Sequence, residues 1–76
     1  MPLVVAPIGK MLKIIKILAD GTTSEKLKNM GFVVDKKITV ESYRKGRIVC
    51  LVEGSKVALD SELATKIFVS EEVWNY

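Results

Sequence analysis

The sequence predicts a small all-β fold: a barrel of about five short strands, closed over by one short helix at residues 22–31. Three observations carry that expectation. Short apolar runs of alternating or β-branched character recur along the chain. Turn residues separate them at Asp20-Gly21, Gly46 and Gly54-Ser55. Only one stretch, Thr22 to Phe32, carries helix signals at both ends. Closure into a barrel would remove the open edges that so many short strands create.

The elements follow in order. Pro7-Ile8-Gly9 reads as a bend before the first strand. Met11 to Leu18 has a three-residue recurrence of Leu12, Ile15 and Leu18 that would suit a helix, but its isoleucine content, its shortness and the flanking glycines favour a strand. In the helix, Thr22 as N-cap and Glu25 three residues later form a capping box. Leu27 and Met30 share one face. Gly31 ends the helix in the left-handed conformation, and Phe32 folds back onto Leu27.

Lys37 to Arg44 alternates, with Ile38, Val40 and Ser42 on one face and Thr39, Glu41 and Tyr43 on the other. Arg47 to Glu53 is the next strand, with Ile48, Cys50 and Val52 facing inward. A two-residue Lys45-Gly46 loop would set Cys50 opposite Glu41. A three-residue Arg44-Lys45-Gly46 loop pairs Val40 with Cys50 and Ile38 with Val52, and is the expected one. Gly54-Ser55 turns the chain into a short strand, Lys56 to Leu59, with Ala58 and Leu59 as structural residues. Asp60 caps a single helical or 3₁₀ turn, Lys66 to Val69 is the last strand, and residues 70–76 form a polar tail.

At 76 residues the chain is expected to be one domain, with its core at about residues 6–69. The single cysteine excludes an intramolecular disulfide, and no apolar run is long enough to span a membrane as a helix. No signal peptide is recognised at the start, so a cytoplasmic location is the default expectation. The net charge of +3 is uneven: residues 1–48 hold ten Lys/Arg and four Asp/Glu, residues 49–76 two and five. The basic residues are scattered and poor in interleaved aromatics, so nucleic-acid binding is not expected.

Chemistry-bearing constellations are missing from the sequence. It has no histidine, hence no Ser–His triad and none of the commonest metal ligand. One cysteine cannot build a cysteine zinc site, and no phosphate-binding glycine motif is present. Glu71-Glu72 and the Asp60/Glu62 pair lack the spaced oxygen ligands a hard cation needs. No cofactor, no metal site and no enzymatic activity are expected, and Cys50 reads as a buried, inert side chain.

Pro7-Ile8-Gly9, Leu27-x-x-Met30-Gly31-Phe32, Ile38-Thr39-Val40, Gly54-Ser55-Lys56-Val57-Ala58-Leu59-Asp60, Ala64 and Ile67-x-Val69 together resemble the FeoA family, small cytoplasmic accessory proteins of bacterial ferrous iron uptake. The resemblance implies an SH3-like barrel, also found as the last domain of iron-dependent repressors of the diphtheria-toxin-repressor type. It implies partnership with the cytoplasmic region of the transporter FeoB, with the membrane reached only through that transporter. It transfers no catalytic or metal-binding residue. Three departures stand out. Asp35 replaces a family glycine after Val34 at a Pro-like position, which suggests a turn of another type. Leu51 replaces a polar residue on the outer face, where with Val49 and Tyr43 it would form a small apolar patch. The Trp74/Tyr76 tail lies outside the resemblance, and Trp74 is one candidate to cover that patch.

The expected function is a non-enzymatic adaptor acting through its surfaces. Lys26 and Lys28 on the helix, Tyr43 and Leu51 on the outer face, and Gly54-Ser55 at the turn are the candidate partner-binding residues. Thr22, Glu25, Leu27, Met30, Gly31, Phe32, Ala58 and Leu59 are the structural ones. A second copy is a further, weak partner. The alternatives are a regulatory SH3-like interaction module and a basic RNA-binding barrel.

Overall fold

A computed structural model describes residues 1–73. A 3₁₀ turn at Leu3–Val5 precedes β1 (Met11–Ile17), α1 (Gly21–Asn29), β2 (Lys37–Arg44), β3 (Arg47–Val52), β4 (Ser55–Asp60), a one-turn helix α2 (Ser61–Ala64) and β5 (Ile67–Glu71). The strands form one antiparallel sheet in the order β4-β3-β2-β1-β5. It curls round a core that includes Leu3, Leu12, Leu27, Phe32, Ile38 and Ile67, and among the described residues no polar or charged side chain is buried.

Met11–Ile17 is a strand, as its β-branched content predicts. The three-residue recurrence has no structural counterpart: Leu12 is buried, while Ile15 and Leu18 are about half exposed. Ile15 is the extra residue of a β-bulge between the Ile14–Val69 and Lys16–Phe68 pairs, which turns it out of the core.

The helix ends as expected and starts differently. Phe32 N–H donates to Leu27 C=O at 2.9 Å and Gly31 N–H to Lys28 C=O at 3.0 Å, the paired bonds of a Schellman cap. Leu27 and Phe32 are both buried, which supplies the apolar contact of that motif. Gly31 has φ +96°, and a Cβ there would lie 3.1 Å from Val52 Cγ1, so both conformation and space favour glycine. At the other end the N-cap is Asp20, not Thr22, and no side chain caps the helix. Thr22 and Glu25 both lie inside α1, so the capping box does not form. Gly21, at φ +54°, lets the chain enter the helix two residues earlier than the Thr22 signal suggested.

The β2–β3 hairpin corrects the loop. The connection is the two-residue Lys45-Gly46 turn, with φ of +32° and +76°, the signature of type I′. Val40 still pairs with Cys50 and Ile38 with Val52, because a bulge at Glu41 absorbs one residue of β2. The expected pairing is therefore right, and the extra residue sits in the strand rather than in the loop. Beyond the bulge the faces exchange: Ser42 pairs with Val49 on the outer face, and Tyr43 pairs with buried Ile48.

Asp35 takes φ +76°, and Lys36 N–H donates to Val33 C=O at 3.1 Å. This is the positive-φ arrangement a Pro-Gly sequence gives a type II turn, so the turn type is kept and Asp35 adopts it in place of glycine.

The two ends of the sheet differ. Along β5, Val69 N–H donates to Met1 C=O at 2.8 Å and the Met1 ammonium to Val69 C=O at 2.9 Å, with Pro2 bridging Phe68. The start of the chain thus covers that edge. The edge of β4 has no strand beside it among the described residues, so the sheet leaves one edge open where full closure was expected.

Candidate partner-binding surfaces

The outer face of β2-β3-β4 is built by cross-strand rows. Thr39, Leu51 and Lys56 form one row; Ser42, Val49 and Ala58 form the next; Arg44, Arg47 and Asp60 form the last. Leu51 and Val49 are half-buried in the middle of the sheet. Towards the β2–β3 hairpin the face opens into a groove of about 800 Å³ lined by Arg44, Lys45, Arg47, Val49 and Ala58. It has an apolar floor and three cations around it. Arg47 lies 3.8 Å from Asp60, while Arg44 and Lys45 make no ion pair among the described residues.

The sequence-predicted residues do not converge on one site. Leu51 lies on this outer face, as expected. Gly54 and Ser55 are exposed at the opposite end of the β3–β4 hairpin. Lys26 and Lys28 are exposed in the last turn of α1, where they complement the carbonyl end of the helix. Lys26 also lines a separate shallow groove of about 460 Å³ with Thr22, Glu25, Asn29 and Met30.

Tyr43 is not beside Leu51. The Glu41 bulge turns it to the core side of the sheet, where its hydroxyl donates to Ala6 C=O at 2.5 Å and lies 3.4 Å from Leu3 C=O. It pins the N-terminal segment, and the expected apolar patch shrinks to Leu51 and Val49. The expected packing of Trp74 falls outside the described residues. Ala58, expected to be structural, is exposed and lines the groove, whereas Leu59 is buried.

The cations of the groove were missed because Arg44-Lys45-Gly46-Arg47 was counted with a scattered positive charge. The available signal was their position: three cations in four residues at a tight hairpin must share one end of the sheet.

Three titratable groups among the described residues, Tyr43, Cys50 and Glu53, depart from their ordinary values. Cys50 is fully buried, and burial pushes its thiol up to about 11, far from a reactive thiolate. Burial, then the Cys50 thiolate, holds the Tyr43 phenol above its ordinary value. A hydrogen bond and ion pair from Lys36 hold the Glu53 carboxyl below its ordinary value. Among the described residues no three His, Cys, Asp or Glu side chains cluster so as to hold a metal ion, and no helix is long and apolar enough to cross a membrane.

This small SH3-like barrel is a fold shared by iron-uptake proteins and metal-dependent repressors. A crystal structure described as the iron uptake regulatory protein FeoA matches 95% of this chain and 96% of its own at a TM-score of 0.86 and 26% identity. Iron(II) transport protein A from Clostridium thermocellum matches at 0.87 and 27% identity over 93% of this chain, which spans 45% of that protein. A manganese-dependent transcriptional repressor complexed with manganese matches at 0.87 and 24% identity, this chain covering 36% of it; that likeness concerns the fold alone. No curated protein sequence matches the chain. The model of the FeoA domain matches residues 1–71, and the chain belongs to the FeoA family. The match begins before Ala6 and runs past Val69, consistent with the place of Met1 and Pro2 on β5.

Proposed function

We propose that this chain is a non-enzymatic adaptor of ferrous iron uptake that works by contact with the cytoplasmic region of the FeoB transporter. Family membership supplies the iron-transport context. The observation that carries the contact mechanism is the groove on the outer sheet face, with Val49 and Ala58 as floor and Arg44, Lys45 and Arg47 around it. An apolar floor with a charged rim suits a partner segment that is apolar at its centre and acidic at its ends. Leu51 extends the apolar floor by one cross-strand row.

The test is a titration of labelled protein with the separately expressed cytoplasmic part of FeoB, with and without GTP, and with Fe²⁺ as a control ligand. Saturable binding is expected. Arg44→Glu should weaken it about tenfold and make its dependence on salt shallower, and Leu51→Lys should weaken it through the floor. Absence of binding in every nucleotide state, together with tight binding of Fe²⁺, would replace the adaptor reading with direct metal handling.

A further inference from the structure

The open edge of β4 carries more information than its exposure. Glu53 and Gly54 form a two-residue turn with φ of +52° and +80°, so Val52 and Ser55 are a hydrogen-bonded pair. Antiparallel alternation then turns the backbone groups of Ser55, Val57 and Leu59 toward β3, and those of Lys56, Ala58 and Asp60 outward. Beyond the β3 ladder, no backbone hydrogen bond outside the helices reaches Lys56 or Ala58 among the described residues, while Asp60 is the N-cap at which α2 begins. Exposed edges are ordinarily protected by charge. Here the protecting charges are opposite in sign and stand symmetrically about a small residue.

We infer that β4 is a self-association edge, on which a second copy of this chain pairs antiparallel across a two-fold axis at Ala58. In that register Ala58 faces its own copy and Lys56 faces Asp60 of the second copy, twice. Moving the centre by one residue either way sets a charge opposite Ala58. Moving it by two sets Lys56 against Lys56 or Asp60 against Asp60. The Ala58 register alone satisfies both charges, and two-fold symmetry makes one patch complementary to itself. Each charge already has a neighbour on its own copy: Lys56 Nζ is 3.1 Å from Glu41 and Asp60 Oδ1 is 3.8 Å from Arg47. Pairing therefore links Glu41, Lys56, then Asp60 and Arg47 of the second copy, into one alternating row. β5 cannot serve the same purpose, because Met1 and Pro2 occupy its edge.

One six-residue strand buries less than a standard interface, so the dimer is reversible, with a dissociation constant on the order of 100 µM. The inference goes beyond the transporter reading and is independent of it, since the experiment contains no second protein. It is sedimentation velocity on the full chain from about 10 µM to about 1 mM, at low and high salt. A concentration-dependent dimer is expected. Lys56→Asp and Asp60→Lys should each weaken it about tenfold or more. Mixing the two variants should restore the wild-type affinity, because the heterodimer regains both charge pairs. Ala58→Pro, which removes an outward N–H, should abolish dimerisation while circular dichroism stays native. A monomer at 1 mM would overturn the inference and leave the edge to a mixed-charge strand of another protein. A dimer unaffected by these changes, or a mixture no tighter than either variant alone, would overturn it in favour of a different face.

Discussion

The two edges of this sheet have been handled in opposite ways. β5 is covered by the first two residues of the chain, held by reciprocal backbone bonds between Met1 and Val69 and backed by the buried side chain of Leu3. β4 has no strand beside it among the described residues and presents Lys56, Ala58 and Asp60. An edge can be sealed by its own chain only where a free segment passes alongside it. The N-terminal segment does so at β5, helped by Tyr43, which draws the carbonyl of Ala6 onto the sheet. At β4 the chain turns straight into α2, with Ser61 N–H donating to Gly46 C=O, and no other strand among the described residues lies along it.

The largest effect is expected at the covered edge. Leu3→Ala should cost about 3 kcal/mol, because it empties a fully buried site under the segment that covers β5. Urea unfolding measures it, and amides along β5 should lose hydrogen-exchange protection ahead of those in β3. The interior between the two edges supplies the next effect. The Cys50 thiol rises from 9.0 unfolded to about 11 folded, so the native state binds its proton more tightly. That contribution is complete below about pH 9 and is lost as the pH rises through 11, a change of about 2–3 kcal/mol. Cys50→Val should remove most of this alkaline loss and leave the smaller share of Tyr43, whose phenol is shifted in the same direction.

Tyr43→Phe deletes the hydroxyl that holds Ala6 C=O. It should cost about 1 kcal/mol and lower Tm by a few degrees, with the N-terminal segment loosened first. The smallest effect belongs to the bare edge. Ala58→Pro should leave monomer stability nearly unchanged, since among the described residues the lost N–H has no partner. A large loss of stability there would mean that β4 is covered after all, and the contrast between the edges would fail.

Several elements were legible from local chemistry. Leu27, Gly31 and Phe32 specify the end of the helix because a Schellman cap needs one glycine and two apolar residues at set spacing. The alternation in Lys37–Arg44 and Arg47–Val52 specifies strands, and the pairing of Val40 with Cys50 follows from keeping apolar side chains on one face. The site was less legible. Leu51 was placed on the outer face by alternation alone. Tyr43 was misplaced because a bulge shifts alternation without any mark in the sequence, and Thr22 was misassigned because Gly21 lets the helix begin earlier. Arg44, Lys45 and Arg47 were visible as charges, but the groove they border also needs Ala58 from the neighbouring strand.

By itself the sequence determined the strands, the C-terminal cap of α1, and a buried Cys50, since these depend on neighbours a few residues apart. Only the tertiary structure decided that Glu41 is a bulge, that Tyr43 reaches back 37 residues to Ala6, and that Met1 meets Val69 across 68 residues. It also decided which edge stays open. Contacts at such separations are chosen by how the whole sheet curls round its core, and turn and cap residues carry no record of that choice.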